Sequence, residues 1–190
     1  MRFFATAVMA AAAVAAVASS ALAAPAPQWV VDKAASQVRF ASSFSGAAFS
    51  GGFARWDADI RFDPANLAGS SVTASFDTGS AATGDADRDQ SLPSATFFDA
   101  GKFPRATFTA HDFKALGGNR YVANGALTLR GVTKPLALPF TLVVNGPVAR
   151  MNAGVAINRL AFGVGQDQWA KVDALPNPVT ITIALTARRK

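Results

Sequence analysis

The sequence predicts an all-β protein of antiparallel strands, and three observations carry that expectation. Apolar and polar residues alternate in short runs from Trp29 to the end of the chain, the period of a strand with one buried face. No stretch has the long 3.6-residue periodicity of an amphipathic helix. All twelve acidic residues are Asp and none is Glu, and Asp suits turns where Glu suits helices.

The chain opens with Met1-Arg2, an apolar run from Phe3 to Ala18, Ser19-Ser20 and the small-residue tail Ala21-Leu22-Ala23. This order of a basic start, an apolar stretch and an A-x-A site is that of a secretory signal peptide over residues 1–23, cleaved after Ala23. It places the remaining domain, residues 24–190, in the periplasm. The competing reading is an uncleaved anchor, since the run stretches to roughly the 20 residues that a span needs.

After the Pro-spaced Ala24–Gln28, Trp29 and Val31 begin the alternation, and Val38 and Phe40 continue it beyond a turn at Asp32–Ser36. Residues 55–62, "RWDADIRF", make the clearest strand. Trp56, Ala58, Ile60 and Phe62 share one face, and Arg55, Asp57, Asp59 and Arg61 the other. Asp63-Pro64-Ala65-Asn66 turns the chain. Val72, Ala74 and Phe76 form a third row; Ala106, Phe108 and Ala110 form a fourth. Residues 85–102 depart from the pattern, and Ser94 is placed to cap one helical turn through "ATFFDAG". Residues 125–140, "GALTLRGVTKPLALPF", read as a hairpin with Leu127 and Leu129 on one limb and Leu136, Leu138 and Phe140 on the other. Residues 151–158 and 178–187 complete a meander of about eight strands, the last alternating Val179, Ile181, Ile183 and Leu185 with polar or small residues.

Strands with one apolar face stack as a sandwich or close as a barrel, and alternation alone does not choose. Small residues (Ala58, Ala74, Ala106, Ala110) alternate with large ones (Trp56, Phe76, Phe108) on the apolar face. That mixture leaves room inside a closed sheet for one small ligand, and it equally describes a dry, interdigitated core. The length of 190 residues suits one β domain.

Composition narrows function by exclusion. There is no cysteine, so thiol catalysis and cysteine metal sites are absent. The formal charge is +6, or +5 once Arg2 leaves with the leader, and the basic residues are scattered singly, which suits nucleic acid poorly. The basic C-terminal half fits either a solvated surface or contact with anionic lipid head groups. The single histidine, His111 beside Asp112, makes neither a metal set nor a triad. No G-x-S-x-G, P-loop or paired Glu occurs. The expectation is a protein that binds without catalysing, with no cofactor and no metal.

Five motifs in order resemble the YceI-like, polyisoprenoid-binding family of bacteria. "WVVDKAASQVRF" supplies Trp29, Asp32, Ser36, Val38 and Phe40, and "FSGGFARWDADIRFDP" supplies Gly52, Phe53, Trp56, Ile60, Phe62 and Asp63. Thr83, Arg88, Asp89, Leu92, Phe97, Phe98, Asp99, Phe103 and Pro104 follow, then "GALTLRGVTKP" and "INRLAFGVG". Trp56, where an aliphatic or Phe is commoner, and the long "GQDQWAKVDALPN" before the last strand depart from the pattern.

The resemblance implies an eight-stranded antiparallel lipocalin-like barrel, exported, with an isoprenoid lipid or quinone in its interior as ligand. Parity and motif nominate as lining Phe40, Phe44, Phe53, Trp56, Ile60, Phe62, Phe76, Phe97, Phe98, Phe108, Leu127, Leu129, Phe140 and Phe162. Trp169 is a candidate cap for the mouth. Arg88 and Asp89 read as a structural ion pair or a turn-fixing carboxylate in preference to the alternative, a head-group contact. Arg130, Lys134 and Arg159 are rim candidates for a polar head group. Partners implied are a long-chain isoprenoid or related lipid, with transient membrane contact and a homodimer left open and no nucleic acid. The alternative is a filled, dry barrel that acts through a protein partner in a structural or stress-protective role.

Overall fold

The computed structural model describes residues 24–190; the leader and its cleavage point lie outside them. Eleven strand segments form one sheet: β1 (Gln28–Val31), β2 (Gln37–Phe44), β3 (Ala47–Phe53), β4 (Trp56–Arg61), β5 (Ser71–Asp77), β6 (Ala81–Ala82), β7 (Arg105–Gly117), β8 (Arg120–Leu129), β9 (Val132–Asn145), β10 (Val148–Asn158) and β11 (Pro178–Arg189). Every pairing is antiparallel, and pairing of β1 with β11 closes the ring. The expected eight strands are eight staves of this barrel, because β1/β2, β3/β4 and β5/β6 are each one stave bent in the middle. Both β1 and β2 pair with β11, through Trp29↔Arg189 and Phe40↔Ile181. Likewise β3 pairs with β2 and β4 with β1.

Short polar side chains hold the bends. Asp32 Oδ1 accepts from the amides of Ala34 and Ala35 at 3.1 and 3.2 Å, and Ser36 Oγ accepts from Thr186 N at 3.0 Å. The hydroxyl therefore replaces the ladder bonds that the bend interrupts. The bends of the next two staves lean on one residue, Ser80, whose carbonyl accepts from Ala54 N at 3.1 Å and whose Oγ accepts from Arg55 N at 3.0 Å.

The one α-helix among the described residues, α1 (Ala86–Ser91), lies inside the 85–102 segment, but its cap differs from the expected one. Asp85 accepts from Arg88 N at 3.0 Å, while Ser94 opens only a tight turn, its carbonyl accepting from Asp99 N at 2.8 Å. Asp85 wins because two further Asp residues fill the first turn, where the helix dipole favours negative charge.

One irregularity sets the inner face. The β7–β8 register shifts between Ala110 and Asp112, so His111 is the extra residue of a bulge. Parity flips there, and Phe113 joins Phe108 on the interior side. Opposite the bulge stands Gly125, where a Cβ would come within 2.2 Å of the Thr109 carbonyl. Only glycine permits that approach.

Three apolar clusters fill successive levels of the barrel. Trp29, Phe62 and Tyr121 lie at the level where the β7–β8 turn and the C-terminal end of β11 gather, the floor. Phe108, Ala110, Ala123 and Leu138 occupy the middle. Phe40, Phe98, Leu129 and Phe162 lie at the other end, the mouth, beneath the long segments 83–104 and 159–177.

Candidate ligand-binding tunnel

An apolar cavity of about 270 Å³ runs inside the barrel. Of the fourteen nominated residues, twelve border it: Phe40, Phe53, Trp56, Ile60, Phe62, Phe76, Phe97, Phe98, Phe108, Leu127, Leu129 and Phe140. Two do not. Phe44 lies 39% exposed at the tip of the β2–β3 hairpin with its ring 5.6 Å from that of Trp169. Phe162 is buried in the mouth cluster, within the 3₁₀ turn Leu160–Phe162, and does not reach the cavity.

The wall also contains residues that the nomination passed over. Trp29, Phe113, Met151, Val155 and the β11 row Val179, Ile181, Ile183 and Leu185 all border the tunnel. The β11 row is plain in the alternation, but parity and motif together favour the aromatic positions. Phe113 was hidden because the bulge breaks period two.

Large rings leave a hollow because small residues stand across from them. A Cβ on Gly51 would lie 2.4 Å from the Phe40 ring, so that ring lies flat over a bare backbone. Ala58 faces Ala74 across β4–β5, and Ala106 faces Phe76 across β5–β7. From the mouth downward, Phe53 touches Phe40 at 5.7 Å, Phe76 at 5.6 Å and Phe98 at 6.0 Å between ring centroids. At the floor, Phe62 meets Phe113, Tyr121 and Phe140 edge-on at 5.4, 5.4 and 5.7 Å. Trp29 Nε1 donates to the Phe62 carbonyl at 2.9 Å, so the buried indole satisfies its one donor.

Arginines organise the mouth. Arg159, 3% exposed, gives all five of its N–H donors to backbone carbonyls: Nε to Pro176, Nη1 to Val164 and Gly165, and Nη2 to Trp169 and Leu175. Burial lowers its pKa from the ordinary arginine value. Arg130 Nη1 donates to the carbonyls of Phe97 and Gly163, stitching segment 83–104 to segment 159–177. Of the rim candidates, Arg159 thus spends every donor on the protein itself, and Arg130 spends Nη1 on it while its Nη2 lies 3.9 Å from Asp99. Lys134, half-buried at the mouth end of β9, keeps the inward parity opposite Leu127. Trp169 lies half-buried between Phe44 and Phe97, 5.6 Å from each ring.

Asp89 fixes a turn rather than pairing with Arg88. Its carboxylate accepts from Thr83 N at 2.6 Å, Thr83 Oγ1 at 2.7 Å and Gly84 N at 3.1 Å. The Thr83 hydroxyl bond is the main reason its pKa lies below the usual carboxylate value. Arg88 pairs with Asp85 at 3.2 Å and lies over the Phe49 ring at 5.1 Å. His111 is exposed at the bulge.

The wall has a seam between its first two staves, besides the gap where β9–β10 pairing stops at Phe140↔Ala153. Between Trp29↔Ile60 and Arg39↔Gly52, no ladder pairing joins the first bent stave to the second. Side chains bridge the gap. Lys33 Nζ bonds the Trp56 carbonyl, lies 3.9 Å from the Trp56 ring centroid and pairs with Asp57 at 3.1 Å. Gln28 Nε2 donates to Asp59 at 3.2 Å.

A closed antiparallel barrel enclosing an apolar tube, with a packed floor and a loop-covered mouth, is the architecture of a lipocalin-like binding protein. The chain belongs to the YceI-like domain family, whose model matches residues 29–187. A UPF0312 protein of Vibrio cholerae is 34% identical over 150 residues, 77% of this chain and 69% of that one. The crystal structure of Burkholderia cenocepacia BcnA superposes with a TM-score of 0.79 at 31% identity, covering 82% of this chain and 98% of that one. A polyisoprenoid-binding domain from Saccharophagus degradans has the same fold, with a TM-score of 0.69 at 15% identity over 86% and 99% of the two chains.

Proposed function

We propose that the protein is an exported, non-enzymatic carrier that holds one long isoprenoid chain in the barrel. The observation that carries this reading is the tube itself, bounded by apolar side chains from the mouth at Phe98 to the floor at Phe62. Its volume of about 270 Å³ sits near the lower edge for ligand pockets, which favours a slender chain over a fused-ring compound. The polyisoprenoid-binding domain of S. degradans shares the fold and so lends the chemistry plausibility. The open tube speaks against a barrel filled from end to end.

Energetics favour a carrier over a sink. Burial from water is worth about 0.8 kcal/mol per CH₂, so ten groups contribute roughly 8 kcal/mol before the costs of association. A bilayer offers the same chain an equally apolar home, so that term nearly cancels between membrane and protein. Exchange then lies close to balance.

The test is transfer from vesicles. Phosphatidylcholine liposomes carrying labelled polyprenol are mixed with the protein and separated by flotation. The wild type is expected to retain label in the protein fraction, and Ala74→Trp, which fills the tube at mid-height, is expected to lose at least tenfold. No label with the wild type would overturn the reading.

A further inference from the structure

Among the described residues, one buried side-chain polar atom lacks a hydrogen-bond partner, the hydroxyl of Ser42. Ser42 borders the tunnel. It lies on β2 opposite Phe49, two residues and so about 7 Å inside Phe44 at the hairpin tip. The inward row of β2 is otherwise Val38 and Phe40, and an alanine or valine would continue it. Burying a hydroxyl without a partner is unfavourable, so its presence in an apolar wall calls for a partner that arrives with the ligand.

We propose that Ser42 is a specificity-determining contact for an uncharged oxygen on the ligand, such as an alcohol, an ether or a quinone carbonyl, held just inside the mouth. The inference rests on the lipid-tunnel reading and names the head-group class that the tunnel accepts. Charge is the discriminating feature. The cation bordering the cavity at this end, Arg159, has each donor committed to a carbonyl, and Arg130 is bound to Phe97 and Gly163. Neither can turn toward a phosphate without releasing the loops it holds. Arg61, also at the cavity, lies at the floor, where it pairs in register with Gln28 and Ser71. Arg88, over the ring of Phe49 opposite Ser42, is paired with Asp85, so a charged head drawn in to that depth would lose hydration with no unpaired cation on the tunnel wall to replace it. The head group therefore enters neutral, and the hydroxyl of Ser42 serves it as donor or acceptor.

The experiment compares three probes of one carbon skeleton class on lipid-stripped protein: geranylgeraniol, the hydrocarbon phytane and geranylgeranyl diphosphate. Binding is read by quenching of tryptophan fluorescence. Wild type is expected to prefer the alcohol to both others. Ser42→Ala is expected to weaken the alcohol roughly five- to tenfold, one neutral hydrogen bond's worth, while phytane binds unchanged or tighter. Ser42→Thr, which keeps the hydroxyl, restores the preference. Stripped Ser42→Ala is expected to melt no lower than wild type, because it removes an unsatisfied group. An unchanged alcohol-to-phytane ratio in Ser42→Ala would overturn the proposal. So would a preference for the diphosphate that disappears in Lys134→Ala, since Lys134 at the rim would then be the reader. Binding of none of the three would contradict the tunnel reading itself.

Discussion

At the floor of the barrel Phe62 meets three aromatic rings edge-on, and the Trp29 indole ties the same residue's carbonyl into place. At the mouth Arg159 donates to five carbonyls of one loop, and Arg130 links that loop to the segment that carries α1. Aromatic packing joins strands that the ladder already fixes, so the floor closes as part of the sheet. The arginine bonds instead shape two long loops that have few ladder bonds of their own. A floor built into the sheet opens only when the sheet does, whereas a mouth held by side chains can open locally. That asymmetry leaves a guest one way into the tunnel.

Substitutions at either end separate the floor from the mouth. Phe62→Ala carries the largest expected effect, a loss of about 3–5 kcal/mol in a urea melt followed by circular dichroism, felt by the whole barrel. Arg159→Met is expected to lose somewhat less, about 3 kcal/mol, because five carbonyls lose their donors. Its effect is local: hydrogen exchange should rise across 160–177 while floor amides around Tyr121 keep their protection. Equal loosening of both ends would contradict the division. Trp169→Ala removes two aromatic contacts, worth about 1–2 kcal/mol together. It is expected to speed polyprenol release several-fold and to lower the melt by less than either substitution above.

Acid gives the smallest and most selective effect. The pKa of Asp77 is lowered chiefly by the Arg55 side-chain bond, and that of Asp89 chiefly by the Thr83 hydroxyl. Both stand at the mouth end. A carboxylate whose folded pKa is depressed lends stability that is complete above the ordinary value of 3.8 and is lost as pH falls through the lower folded value. Below that ordinary value, exchange protection in 77–104 is expected to fall before protection at the floor. Asp57 at the seam, lowered chiefly by its bond from Lys33, behaves likewise, and as an exposed pair it contributes under about 1 kcal/mol. Asp89→Asn is expected to flatten the acid response of the mouth, and an unaltered response would remove Asp89 from the account.

The sequence showed the floor and walls far more plainly than the mouth. Rows such as Trp56, Ala58, Ile60 and Phe62 announce themselves because a strand facing a cavity must alternate. Phe113 escaped because a single extra residue, His111, reverses parity, and only the break in the pattern at Ala110–Phe113 hinted at it. The bends were half visible: Asp32 and Ser36 looked like turn residues, but nothing local said that Thr186 would be their partner. Arg159 and Arg130 looked like rim charges for a head group. Their acceptors are carbonyls on loops of no regular period, and carbonyls have no side-chain signature. Phe44 and Phe162 were misplaced for the same reason, since they sit on hairpin tip and loop rather than in a wall row. Ser42 has no local signature among the many serines, because only the apolar wall around it sets it apart.

A barrel that holds a long hydrophobic guest must reveal it in the purified protein. Native mass spectrometry of protein purified without detergent tests this most directly. The expected result is a species heavier than the polypeptide that sheds a neutral isoprenoid on collisional activation, with the heavier species lost in Ala74→Trp. A single peak at the bare polypeptide mass, unchanged after incubation with polyprenol vesicles, would contradict it.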